Sequence, residues 1–384
     1  LVMKKSLDRQ FKTEGQILTA GPSIGFRERA YSAEAVQFGW NLRSSEFLER
    51  LEDSFSKYVG VSNSLATSSC TGALHLALAA LDIGPGDEVI VPAITWVATA
   101  SAVRYVGARP VFVDVDEHSW TMDPAKIEEK ISSRTKAVIA VHLYGFMAHI
   151  KEIMDICEAR GLYLIEDAAP AIGATFEGAR AGTFGHFGCF SFQGAKLLVA
   201  GEGGMLVSNS PELMARAKKL QEHGRQPGTF LIDELGYKYK MSNQTAALAL
   251  GQLERIQPQI DRKRLIARWY RELLSDCNEL SFQTELSGTH SIHWMTSVKI
   301  LPESKVGDAS RLRALLKERN IDSRPVFPNL ARFDFWRQNP EELAVSEHLA
   351  SSALNLPSGV NLTLQDVERV AYAVQESINR FPSS

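Results

Sequence analysis

Residues 162–167 read Leu-Tyr-Leu-Ile-Glu-Asp, a short apolar run closed by two carboxylates. The next segment of similar weight is Ser191-Phe-Gln-Gly-Ala-Lys196, which places Lys196 29 positions after Asp167. The first run is continuous in polarity rather than alternating, which suits a strand covered on both faces. It has companions at Ser64–Thr67, Glu88–Ala93, Arg109–Val113 and Ala137–His142. Helical patterns separate them, at Thr71–Leu81, on to Val106 after the second run, at Pro124–Ile131 and at Ile150–Ala159; Gly84-Pro-Gly-Asp87 marks a turn. Strand and helix alternating from residue 60 to 210 predict an α/β fold, with a mostly parallel sheet sandwiched by helices.

The pattern changes after Lys196. Gly203–Ser208 reads as one more strand, and Glu212–Glu222 and Thr245–Leu253 as helices. Pro258 breaks or begins the next helix, and Asp261–Asp276 reads as a long connector. Beyond residue 280 come a strand near Ser291–Ile300 and helices at Asp308–Arg319 and Thr363–Ile378. The expected division is an N-terminal segment (1–45), a large α/β domain (46–257) and a smaller C-terminal α+β domain (258–384). The first five residues, Leu-Val-Met-Lys-Lys, are set aside from this reading.

Bulk properties narrow the function classes. The chain has 384 residues, 45% of them hydrophobic, enough for a sizeable core. A net charge of -3 with scattered basic residues favours neither nucleic acid nor an acidic membrane surface. No apolar run reaches the ~18 residues of a membrane span. Cys70, Cys157, Cys189 and Cys277 are far apart, with no CxxC pair. They read as reduced thiols of a cytoplasmic protein, and no metal site is expected.

The chemistry gathers where strands end. Asp167 sits at the carboxyl end of its run, the edge where open α/β sheets bind ligands. Taken alone it reads equally as a helix N-cap. With Lys196 at this spacing, and Gly201-Glu-Gly-Gly204 following, it reads as part of a pyridoxal phosphate (PLP) site. Lys196 would form a Schiff base, Ser191 would help to hold the phosphate, and Asp167 would keep the pyridine nitrogen protonated. Leu197, Leu198 and Val199 give the lysine an apolar setting, which lowers an amine's pKa. Ser68-Ser-Cys-Thr71-Gly72-Ala73 joins a strand to a helix, and serves equally as an anion site or as a simple capped start. Trp96, just past the second strand, is placed either to stack on a cofactor ring or to pack in the core. His142 and Tyr144 also face the carboxyl edge, with His142 read as a packing residue.

Together these pieces resemble the DegT/DnrJ/EryC1/StrS family of PLP-dependent nucleotide-sugar aminotransferases, of fold type I. The likeness runs from about residue 45 to residue 375. It is carried by Gly84-Pro-Gly-Asp-Glu-Val-Ile90, Ile94-Thr-Trp-Val97, Arg134-Thr-Lys-Ala137, Val141-His-Leu-Tyr-Gly145 and Glu166-Asp-Ala-Ala169. It continues through the Lys196 segment, Gly201–Gly204, Glu222-His-Gly224, Met241-Ser-Asn243 and Leu354-Asn-Leu-Pro357. Within the family the chain is most similar to the perosamine-synthase and related 4-aminotransferase branch.

The resemblance implies transfer of an amino group from an amino acid donor, glutamate, to a keto-sugar nucleotide of the 4-keto-6-deoxy kind. Thr71, Gly72 and Ser191 match phosphate-binding positions, and Trp96 the stacking aromatic. Asn243 matches a residue donated to the cofactor phosphate by a neighbouring subunit, which implies a homodimer with shared active sites. His223, Arg225 and Arg324 fall in regions that meet the nucleotide-sugar. Two positions depart from the pattern: Pro170 stands where Gln or His is frequent, and Gln193 where His is frequent. Retention of Lys196 favours transamination over PLP-dependent sugar dehydration. Amination of a keto-cyclitol is the alternative. A PLP-binding regulator would carry a DNA-binding module, for which the 45 residues ahead of the matched region show no helix-turn-helix pattern or basic stripe.

Overall fold

The structure, a computed structural model, describes residues 15–379 except Pro227 and Lys305. The five residues set aside above lie outside the described residues. The chain runs through α1 (Phe26–Phe38), α2 (Glu46–Val59), β1 (Asn63–Thr67), α3 (Cys70–Ala80), β2 (Glu88–Pro92), α4 (Ala98–Tyr105), β3 (Arg109–Val113), α5 (Pro124–Lys130), β4 (Thr135–Val141), α6 (Ile150–Arg160) and β5 (Tyr163–Asp167). Next come β6 (Thr175–Phe176), β7 (Ala179–Arg180), β8 (Phe187–Ser191), β9 (Gly204–Ser208), α7 (Pro211–Gln221), α8 (Asn243–Leu253) and α9 (Ile256–Leu273). The remainder forms β10 (Leu280–Phe282), β11 (Thr289–His290), β12 (Thr296–Ile300), α10 (Ala309–Glu318), β13 (Arg324–Pro325), α11 (Ala344–Ser352), β14 (Ala353–Leu356) and α12 (Leu364–Asn379).

Seven strands form the main sheet in the order β1-β9-β8-β5-β4-β2-β3. Every residue of β2 and β9 is buried, as continuous apolar runs between two helical layers require. Four of its six pairings are parallel; β9 alone runs backwards, antiparallel to both β1 and β8. Its start therefore lies at the edge where β1 and β8 finish. The register shows this directly, with Gly204 opposite both Thr67 and Ser191. Asp167 is opposite Val141 on one side and Cys189 on the other, so the carboxyl ends of β4, β5 and β8 share one rim.

The helices read as their sequences direct. In α2 the buried residues Phe47, Leu48, Leu51, Phe55 and Val59 recur at helical spacing, and Gly60 ends the helix in the left-handed region (φ 90°). In α3 nine of eleven residues are buried, so this helix has no solvent stripe. It packs on β8 and β9 with its first turn against the start of β9.

The C-terminal part builds an antiparallel sheet, β10-β12-β14-β13, over which Ile266, Tyr270, Leu312, Val370 and Val374 form a separate core with Val298 and Leu356. Two expectations shift here. The long helix α9 begins at Ile256 and ends at Leu273, because Pro258 lies in its first turn, where a missing N–H removes no helical bond. The strand expected over Ser291–Ile300 is confined to Thr296–Ile300. Ser291 is drawn off by its hydroxyl bond to the Gly145 carbonyl, and Trp294 by the Lys263 amine on its carbonyl.

The described part of the N-terminal segment is folded into the rest. Helix α1 packs against α8, where the buried Glu28 meets Arg255 Nε at 2.6 Å. The two helices come so close that a Cβ on Gly251 would lie 2.8 Å from the Glu28 nitrogen. Among the described residues no helix is long and apolar enough to cross a membrane.

Candidate active site

Successive residues on a strand point to opposite faces, and at the end of β5 this separates two carboxylates. Glu166 is saturated. Its Oε1 accepts from the amides of Phe184 and Gly185, and its Oε2 from the amide of Gly182 and from His142 Nε2 at 2.9 Å. His142 Nδ1 accepts from the Ala148 amide, so the imidazole proton belongs on Nε2. His142 is wholly buried and acts as a structural donor, in line with its reading as a packing residue.

Asp167 has fewer partners. Its Oδ2 accepts from Thr99 Oγ1 at 2.7 Å and its Oδ1 from the Ala169 amide at 3.1 Å. Thr99 Oγ1 is also 3.0 Å from Thr95 Oγ1. Since the Thr99 proton goes to the carboxylate, Thr95 must supply the other one, giving a relay Thr95→Thr99→Asp167. Burial pushes the Asp167 carboxyl above its ordinary pKa, against the pull of Thr99, the Ala169 amide and Lys196. A buried carboxylate with lone pairs to spare is a seat for a cationic N–H.

Lys196 provides the complementary amine. Its stem is partly exposed, but the amine is withdrawn, and burial lowers its pKa to about 8 against the opposing field of Asp167. The lysine sits in a turn tied by its own amide to the Gln193 carbonyl and by the Ala195 amide to Gln193 Oε1. Gln193 is thus occupied in shaping the turn. Trp294 covers the amine, with Lys196 Nζ 3.8 Å from the centre of its ring.

The anion end is the start of α3. Ser69 caps this helix, accepting the Gly72 amide on its hydroxyl at 3.0 Å. The Gly72 N–H is thus engaged by the cap of its own helix. A side chain is absent there because Tyr239 lies over the position, 3.2 Å from where a Cβ would be. The amides of Cys70 and Thr71, in the first turn, point outward along a favourable helix dipole. Gly204 lets them meet the sheet edge, since a Cβ there would lie 2.6 Å from the Cys70 nitrogen. Ser191, opposite Gly204, brings its hydroxyl to the same corner.

Trp96 is 59% exposed, which rules out the core role. Its carbonyl accepts from the Thr99 amide, so it stands one helical turn from the Asp167 relay, with its ring 5.7 Å from Phe327.

Asn243 lies at the start of α8. It is 5% exposed, its Oδ1 accepts from the Phe47 amide and its Nδ2 donates to the Arg43 carbonyl. These bonds tie the start of α8 to the segment that opens α2, and the Nδ2 group retains a second N–H. His223, Arg225 and Arg324 lie outside the inner cluster. His223 lines an open pocket of about 490 Å³ with Ile232–Gly236, Arg225 is 3.7 Å from Glu222, and Arg324 is 3.3 Å from Asp322. Sequence reasoning missed Thr99 and Trp294. Trp294 carried no signal, whereas a threonine one turn into the helix after Trp96 could have been read as a donor facing the same rim.

A flat heterocycle with an acid-seeking nitrogen at one end and a phosphate at the other fits these groups: Asp167 for the nitrogen, the α3 start and Ser191 for the phosphate, Lys196 for covalent attachment. The class defined is the PLP-dependent aminotransferases of fold type I. The model of the DegT/DnrJ/EryC1/StrS aminotransferase family matches residues 22–375, and the chain belongs to that family. It is 36% identical to a GDP-perosamine synthase of Caulobacter vibrioides, over 94% of this chain and 98% of that one. It is 38% identical to a UDP-N-acetyl-3-dehydro-alpha-D-glucosamine 3-aminotransferase of Acidithiobacillus ferrooxidans, over 86% and 88%. The crystal structure of the aminotransferase TlmJ from Streptoalloteichus hindustanus superposes with a TM-score of 0.88 at 30% identity, covering 96% of this chain and all of that one.

Proposed function

We propose that this enzyme moves the amino group of an amino acid, glutamate, onto a keto-sugar carried by a nucleotide, with a 4-keto-6-deoxy sugar as the acceptor. The observation that carries the reading is the facing pair of a depressed lysine amine and a buried, under-partnered aspartate, Lys196 and Asp167. PLP, when bound, supplies an electron-withdrawing ring that spreads the negative charge left when a proton leaves the substrate carbon. Asp167, held by Thr99 and Ala169, keeps a proton on the ring nitrogen. Lys196, its amine lowered to about 8, takes a proton from the donor's carbon and, in the second half of the cycle, gives one to the acceptor's carbon. The Cys70 and Thr71 amides and Ser191 hold the phosphate.

The acceptor assignment is supported by the two relatives named for nucleotide-sugar products or substrates, and by the cations Arg225 and Arg324 outside the inner cluster. We also infer a homodimer, acting in the cytoplasm. Large exposed apolar side chains support it: Phe26, Val36, Trp40 and Leu42 near α1, and Phe230 and Leu235 in the 226–239 loop. Asn243, with an N–H to spare, is the residue that would complete a neighbour's phosphate site.

The test is an absorbance spectrum of purified enzyme beside Lys196→Ala. A visible band near ~410–430 nm that glutamate converts to one near ~330 nm is expected, the first absent from the variant. A band that no amino donor changes would sink the transaminase reading. Turnover with a nucleotide-linked keto-sugar, and none with the free sugar or a keto-cyclitol, tests the acceptor.

A further inference from the structure

The loop from Ser291 to Met295 leaves the small sheet to place one tryptophan against the reactive amine. Trp294 is 6% exposed and fixed at three points. Its indole Nε1 donates to the Ala195 carbonyl at 2.9 Å, the peptide directly before Lys196. Its own carbonyl accepts from Lys263 Nζ at 2.7 Å, and the same buried amine also donates to the Ser358 carbonyl. Its ring stacks with Tyr144, 26° from parallel at 6.1 Å. A ring held this firmly does not follow Lys196; Lys196 has to come to it.

We propose that Trp294 is a positioning residue for Lys196, its indole face being the seat the ε-amine occupies as a cation whenever it is not bonded to the cofactor. The proposal deepens the aminotransferase reading and rests on Lys196 being the reactive amine. The chemistry follows from opposing demands. A lysine that takes and returns a proton must exist in both forms near neutral pH. Burial disfavours the ammonium, and an aromatic face favours it through the ring quadrupole without forming a bond that must later be broken. Asp167 acts in the same sense, but in the working enzyme it is engaged with the ring nitrogen. The tryptophan face is then the surface left to hold the charge. The bond to Ala195 keeps face and lysine in register.

The experiment measures the titration of Lys196 in the full chain freed of cofactor, by the pH dependence of reductive methylation read site by site with mass spectrometry. Wild type is compared with Trp294→Phe and Trp294→Leu, each checked for native circular dichroism. Removing the face should lower the Lys196 midpoint by roughly half a unit to one and a half units in Trp294→Leu, with Trp294→Phe between. A purely structural role would leave the midpoint in place. Unshifted midpoints in both variants overturn the proposal, and so does an equal shift in both, since phenylalanine keeps a face. Should Trp294→Leu not fold, Trp294→Phe alone decides: a downward shift supports the proposal and none overturns it. If wild-type enzyme shows no lysine-dependent visible band with PLP, it is the aminotransferase reading that has failed; a normal band with unmoved midpoints indicts only the role of Trp294.

Discussion

Thr99→Val removes one hydroxyl and keeps the shape. The lost bond is the 2.7 Å donation to Asp167 Oδ2, inside a site where both residues are buried. A hydrogen bond to a charged group contributes about 1.5–3 kcal/mol. At ~1.4 kcal/mol per unit, its loss raises the Asp167 pKa by roughly one to two units. Burial has already raised this carboxyl, so the two effects add in the same direction. The reaction needs Asp167 ionised. The acid limb of kcat/KM against pH should therefore move upward by that amount in Thr99→Val, while Thr99→Ser, which keeps the donor, stays near wild type. In the loaded enzyme the limb belongs to Asp167 and the ring nitrogen together, and the direction of the shift is unchanged. Thr95→Val should move the limb less, because it removes only the second member of the relay. A folded Thr99→Val whose acid limb coincides with wild type would refute the argument, and so would a uniform loss of rate with no change in the profile.

Other outcomes follow from the same geometry. Glu166→Gln sets an amide N–H₂ against donors that now meet a carboxylate, and should cost about 3–5 kcal/mol in denaturant unfolding. Gly251→Ala forces α1 and α8 apart, and should cost roughly 1–3 kcal/mol on the same measurement. Lys263 is held near pKa 7 by burial, against 10.5 when unfolded. Between those values the unfolded chain keeps a proton the folded one has released, so stability should rise with pH through that window. Lys263→Met should flatten that slope in thermal melts of the holoenzyme across the same pH range; parallel curves would contradict it.

The main sheet was legible because β2, β4 and β5 carry short unbroken apolar runs, β-branched in β2, that suit burial on both faces. Lys196 and Asp167 were legible from spacing along the chain. What the sequence concealed was contact across it: Thr99 meets Asp167 over 68 positions, and Trp294 meets Ala195 over 99. Neither has a local pattern to reveal it. Helix α1 was missed because aromatic and aliphatic side chains face solvent, while a glutamate, Glu28, faces inward. The two-residue strands β6, β7, β11 and β13 are too short to show a period. Asn243 shows a third kind of hidden contact, since its motif gave no sign of the intrachain bonds it makes. Those bonds run to Phe47 and Arg43, about 200 positions away in the chain.

The two carboxylates that end β5 differ in what folding leaves undone. Glu166 meets four donors from the chain itself, so nothing arriving later can improve its position. Among the described residues Asp167 meets two. Asp167 thus keeps lone pairs for a cationic N–H, and a group that binds it favours the folded chain over the unfolded one. Apoenzyme should fold to the same architecture, and should be the form that unfolds and is degraded first when cofactor is scarce. Supply of the vitamin-derived cofactor would in this way set the amount of enzyme as well as its activity.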